Sequence, residues 1–276
     1  MSSTRTDRAA TRTAGPTLTG HLGDAWHTVA PRHDDPHGPL PGLLVPITVV
    51  TGLVDAFSYL ELGRVFVANM TGNVVFLSFA LGGTAGFLWW ASLLAVFAFL
   101  AAALLGGRIT HSAGGHRGRH LLIAAAAQSA ITFAAFLVAV SRPLPYDDRA
   151  LSTLIILLGI AMGLQNATAR ALAVPDLTTT VLTLTLTGIP ADSSPAGGTG
   201  SRIGRRLVAV ACMFLGAVTG ALLVHAGDGP EALLLATGLL LTSTVIAATT
   251  TRTRQAGRKG ADQPCDRHRH AQGRRK

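Results

Sequence analysis

Asp55 is the acid most out of place in this sequence. It lies inside an apolar run, Leu43 to Leu60, that otherwise holds no charge. In lipid, an acid at the centre of a helix costs roughly 2.5–3.5 kcal/mol on insertion scales, so ionisable residues there are functional candidates by default. A carboxyl in such a place can carry a proton or bind a solute. The plainer reading is that it hydrogen-bonds a broken stretch of helix beside Gly52 and Ser58. A second set of groups is neutral: Asn69, Thr71 and Asn73, then Gln165, Asn166 and Thr179. Amides and hydroxyls of this kind can line a polar cavity and touch a ligand. They can equally join one helix to another, at about 1 kcal/mol or less per contact.

No catalytic or metal constellation accompanies them. There is no phosphate loop, no H-E-x-x-H and no G-x-S-x-G nucleophile elbow. His111, His116 and His120 share a loop with Arg117 and Arg119, which repel a cation. An enzyme is therefore the least supported class, with no catalytic residue, metal or cofactor expected.

The elements that must carry these residues are set by hydropathy. Of 276 residues, 49% are hydrophobic and 13% charged, against about a quarter charged in a soluble domain. Apolar stretches near 20 residues without charge read as membrane spans. Eight segments emerge: Leu43–Leu60, Val65–Leu81, Phe87–Leu105, Leu121–Val140, Leu151–Ala169, Leu177–Ile189, Leu207–His225 and Ala232–Thr250. Gly, Pro and charged residues separate them. Residues 1–40 are expected to form a disordered arm without a cleavable leader, the first span acting as insertion signal. Residues 41–250 form the membrane domain. Residues 251–276 read as a disordered basic tail, nine Lys and Arg against two Asp. Such a tail suits anionic lipid head groups better than nucleic acid.

The chain also repeats itself. Gly52-Leu-Val-Asp55-Ala56 is echoed 111 residues later by Gly163-Leu-Gln165-Asn166-Ala167. A threonine-bearing polar segment follows each, and the fourth and eighth segments keep the same offset. Two halves result, about 41–141 and 150–250. Basic loops at 106–120 and 190–206 and the basic tail belong inside; the acidic loop at 226–231 belongs outside, and the charge-balanced loop at 141–150 can lie there too. Equivalent loops then fall on opposite sides. This requires an inverted repeat of about six crossing helices, with segments 65–81 and 177–189 broken or re-entrant. Both termini are cytoplasmic in this arrangement.

The run Thr51-Gly-Leu-Val-Asp-Ala-Phe-Ser-Tyr-Leu-Glu-Leu-Gly-Arg-Val-Phe-Val-Ala-Asn-Met-Thr-Gly-Asn73 closely resembles the signature of the YoaK-type family of bacterial membrane proteins, a domain of unknown function. Gly163-Leu-Gln165-Asn166-Ala167, Arg170 and Thr178 to Thr180 resemble its second signature. The resemblance covers about Leu43 to Thr250. It implies a multi-helix protein of the bacterial inner membrane and implies no substrate.

The expected fold is thus an all-α polytopic membrane protein with a two-fold internal repeat. Gly52, Gly72, Gly163, Gly216 and Gly220 are read as packing or backbone positions; Gly216-Ala-Val-Thr-Gly220 suits close helix contact, within the chain or in a homo-oligomer. Arg170 anchors a helix end at the interface or, alternatively, balances Asp55. The leading functional expectation is a small secondary transporter or permease for a small solute. Its competitor is a non-transporting binding, regulatory or scaffold protein.

Overall fold

The computed structural model describes residues 40–112, 117–172, 182–193 and 203–261, together with Gly23 and Trp26. Among them the secondary structure is entirely helical: α1 Leu40–Glu61, α2 Met70–Leu81, α3 Trp89–Ser112, α4 Arg117–Val140, α5 Asp148–Leu172, α6 Leu182–Ala191, α7 Ile203–His225 and α8 Gly229–Ala261. Helix is the element that satisfies its own backbone in lipid, so uninterrupted apolar runs fold this way.

Five of these helices (α3, α4, α5, α7 and α8) are long and apolar enough to cross a membrane. At 22 residues, α1 spans about 33 Å and has the length of a crossing helix too. Large side chains such as Phe97, Leu100, Leu104, Phe214 and Leu222 are exposed on the outside of the bundle. Water would penalise that surface; lipid tails do not. The 12 residues of α2 and 10 of α6 reach only about 18 and 15 Å, short of a hydrocarbon core near 30 Å.

The sequence misplaced some boundaries. The second apolar segment becomes helical only at Met70; Leu62 to Asn69 are irregular. Gly63 and Arg64 take φ of 79° and 59° there, which stops α1 from continuing. The alternating Thr183, Thr185 and Thr187 are helical, as expected of backbone between membrane helices, but Pro190 falls inside the end of α6 rather than in the turn after it. At the C-terminus, α8 continues to Ala261, so 251–261 are helical where a disordered tail was expected. No proline interrupts that stretch.

Helix pairing follows one pattern. The first helix packs on the seventh and the fifth on the third. The first also meets α8, and the fifth meets α4. The short α2 packs on α3, and the short α6 on α7. Contacts α3·α4, α7·α8, α4·α8 and α1·α5 complete the bundle. Exchanging α1–α4 for α5–α8 leaves this set unchanged.

Glycines make the two main crossings possible. A Cβ on Gly52 would run into the Met213 carbonyl of α7, and one on Gly163 into the Phe99 carbonyl of α3. Gly216 lies in the same way against the Val49 carbonyl, and Gly220 against Leu53 and Ala56. The small-residue face of α7 is thus occupied by α1 of its own chain. Between the helices sits a core that includes Leu53, Val54, Phe57, Leu154, Leu158, Met162 and Leu240.

Candidate functional site

Asp55 belongs to a buried polar grouping at the start of α2. Its Oδ1 accepts the backbone N–H groups of Val67, at 3.1 Å, and Ala68, at 2.8 Å. Beside it, Asn73 clasps Phe66: its Oδ1 accepts the Phe66 N–H at 2.9 Å while its Nδ2 donates to the Phe66 carbonyl. Asp55 and Asn73 therefore supply the partners that the irregular backbone leading into α2 lacks. Unpaired backbone at membrane depth would cost several kcal/mol per group. Gly72 allows this approach, because a Cβ there would press on the Phe66 ring at 2.7 Å. The outer side of the same hairpin is an aromatic cluster, in which Tyr59, Phe76 and Phe66 have ring centroids 5.1–5.8 Å apart. The Arg64 guanidinium lies over Phe87, 5.5 Å from the ring centroid.

The plain reading of Asp55, that it holds a broken helix, is thus fulfilled by one of its oxygens. The other, Oδ2, is buried without a hydrogen-bond partner. Arg170 is exposed at the end of α5 and does not supply one; no ion pair joins the two, and the expected alternative of a charge balance is not what the fold uses. A side chain kept buried with spare hydrogen-bonding capacity can exchange partners when the helices around it move.

A second grouping is a chain of neutral side chains at mid-helix. Gln128 of α4 donates from Nε2 to Oε1 of Gln165 on α5. Gln165 Nε2 donates to Thr51 Oγ1 of α1 at 2.7 Å, and Thr51 donates to the Ile47 carbonyl at 3.1 Å. All three side chains are buried. Thr51 lies one helical turn from Asp55, so the two groupings share a face of α1. Beside the chain is a small cavity lined by Ile47, Ala124, Ala125, Gln128, Gln165, Thr168 and Ala169. It has room for about one water molecule.

The remaining expected site residues are scattered. Asn69 directly precedes α2 and its side chain makes no capping bond. Thr71 is exposed. Asn166 is half-buried and donates to the Met162 carbonyl of its own helix at 2.9 Å. Thr179 lies outside the described residues. Gln128 and Thr51 were missed as site residues. The signal for Gln128 was present: it is the only amide in the charge-free run Leu121–Val140. Among the described residues no three His, Cys, Asp or Glu side chains come together to hold a metal ion.

Comparison with known proteins agrees with this architecture. The family model described as "Protein of unknown function (DUF1275)" matches residues 43–246. The UPF0700 transmembrane protein YoaK of Bacillus subtilis (strain 168) is 33% identical over 154 residues, which cover 55% of this chain and 66% of that protein, just under two thirds of its length. No solved structure matches. With the match running from the start of α1 into α8, this membrane protein belongs to the DUF1275 family, whose function is unknown.

Proposed function

We propose that this protein is a small secondary transporter or permease for a small solute, built as an inverted repeat whose halves meet around the buried polar chain. The observation that carries this reading is the exchange of partners between halves: α1 packs on α7 as α5 packs on α3. The two crossings use glycines 111 residues apart in sequence, Gly52 and Gly163. Inverted repeats with broken helices at corresponding places are a recurrent plan of secondary transporters, in which one half rocks against the other around a site near the midplane.

In this reading the cavity beside Gln128 and Gln165 belongs to a closed form, and solute enters when the halves separate. Asp55 is the coupling group. Its Oδ1 holds the α2 hairpin while its unpartnered Oδ2 takes up and releases a proton or solute contact. Both termini lie in the cytoplasm of a bacterial cell, and the basic tail rests on anionic lipid. No enzymatic step is involved.

The competing reading is a non-transporting binding or regulatory protein. It draws on the mutual satisfaction of the Gln128–Gln165–Thr51 chain, which would then serve packing alone. Purified protein in proteoliposomes, loaded with a panel of small metabolites and run beside Asp55→Asn, separates the two. Transport predicts counterflow of at least one solute and loss of concentrative uptake in a still-folded Asp55→Asn protein. Absence of flux across the panel, with Asp55→Asn changing stability only, would favour the regulatory reading.

A further inference from the structure

The 111-residue offset that relates the halves does not relate their interiors. Among the described residues the offset does not reproduce the polar chain. Applying the offset to Thr51, Gln128 and Gln165 gives Met162, Leu239 and Val54; applying it to the wall residues Ile47, Ala124 and Thr168 gives Leu158, Leu235 and Phe57. Val54, Phe57, Leu158 and Met162 are all fully buried in the apolar core. The amides, hydroxyl and small alanines, drawn from both halves, thus have counterparts of which Val54, Phe57, Leu158 and Met162 are packed apolar core, while Leu235 is exposed on the outside of the bundle.

Two buried carboxamides inside crossing helices are costly unless satisfied. Each offers two N–H donors and a carbonyl with two lone pairs. The chain through Gln128, Gln165, Thr51 and the Ile47 carbonyl uses only part of that capacity. Both glutamines line the cavity, together with Thr168. No charged side chain lines it. The few neutral donors and acceptors of this lining, without a counter-charge, repay the desolvation of an ion poorly. They can repay that of a neutral amide or hydroxyl.

We infer that Gln128, Gln165 and Thr51 form a single binding site for a small uncharged solute bearing a carbonyl, amide or hydroxyl group. The solute takes the place of the Gln128–Gln165 hydrogen bond as α4 and α5 part, and the alanines of the wall leave space for it. This assignment rests on the transport reading for its biological sense, but binding can be tested without flux.

The test uses the full chain with Cys212→Ala and Cys265→Ser, carrying Ala124→Cys on the cavity wall. The probes are acetamide, acetate and acetamidinium, which share one shape and differ in charge, each balanced against sucrose of equal osmolarity. The readout is the rate at which a small maleimide labels the cysteine. Acetamide is expected to slow labelling several-fold in a saturable way, the two ions are not, and the double variant Gln128→Leu/Gln165→Leu loses the protection. Leucine is tolerable there because exchanging both partners of a buried hydrogen bond for apolar groups is close to neutral, and Ala169→Cys reports from the opposite wall should Ala124→Cys fail to fold. Equal protection by either ion, protection that survives in the double variant, or no protection by acetamide overturns the assignment. Acetamide flux into proteoliposomes is measured alongside. Protection without flux keeps the site and favours the non-transporting reading; flux without protection keeps transport and removes this site.

Discussion

Gly52 of α1 and Gly163 of α5 do the same thing in opposite halves: each brings its helix against a backbone carbonyl of the other half's third helix, that of Met213 for Gly52 and that of Phe99 for Gly163. A carbonyl cannot rotate aside as a side chain does, so a Cβ at either position must push two helices apart.

Gly52→Ala and Gly163→Ala should therefore each destabilise the bundle by about 1–3 kcal/mol, the usual cost of overpacking. Gly238 is the control, since a Cβ there meets nothing within 4 Å. Gly238→Ala should be neutral or stabilising by up to about 1 kcal/mol, from helix propensity alone. Thermal melts of the three variants in one detergent decide the matter; equal melting temperatures would mean that the crossings are looser than described.

Asp55 and its hairpin separate a structural from a coupling role. Asp55→Asn keeps an oxygen for the Val67 and Ala68 N–H groups. Asp55→Ala leaves both unpaired, at about 1–3 kcal/mol for each buried group. The alanine variant should melt clearly below the asparagine variant. Asn73→Leu, which removes both bonds to Phe66, should fall with the alanine variant. Should Asn and Ala at position 55 melt together, the carboxyl does not hold the hairpin.

Tyr146, in the loop between α4 and α5, gives a pH signature. Burial, with a smaller contribution from the nearby Glu61 carboxylate, pushes its phenol from 10.0 up to about 12. A raised folded-state value favours the neutral phenol in the fold. The stability it contributes is fully present below pH 10 and is lost as the pH climbs toward 12. Melting curves from pH 8 upward should show a steeper alkaline decline for the parent than for Tyr146→Phe; parallel declines would show that this phenol does not titrate differently on unfolding.

The proposed inverted repeat makes a topological prediction. In a background without Cys212 and Cys265, single cysteines at Ser112 and Asp228 should react with an impermeant maleimide from opposite faces of the membrane. Labelling from the same face would end the inverted repeat and the transporter reading that depends on it.

The helices were legible in the sequence because lipid imposes a one-dimensional rule: an apolar run without charge either crosses or is broken. Even the break before α2 was foreshadowed, by Asn69, Thr71 and Asn73 in a run otherwise fit to span. What spacing could not reveal was partnership. Asn73 serves its own hairpin through the Phe66 backbone, while Gln165 reaches two other helices. These are similar side chains in similar surroundings, and only the crossing of α1, α4 and α5 distinguishes them. Gln128 was overlooked because a lone amide carries no motif. Arg170 and Asp55 were brought together on charge alone, and the fold leaves Arg170 exposed.

The pairing of α1 with α7 also bears on how the protein is made. Ribosomes deliver α1 well before α7, the helix that receives Gly52. Before α7 emerges, α1 has the Val67 and Ala68 amides of its own following segment and then α5, whose Gln165 bonds Thr51. The following segment is a local chaperone for the acid of α1. A nascent chain truncated before α7 should keep the Asp55 hydrogen bonds to Val67 and Ala68 yet leave Gly52 without the helix it packs on.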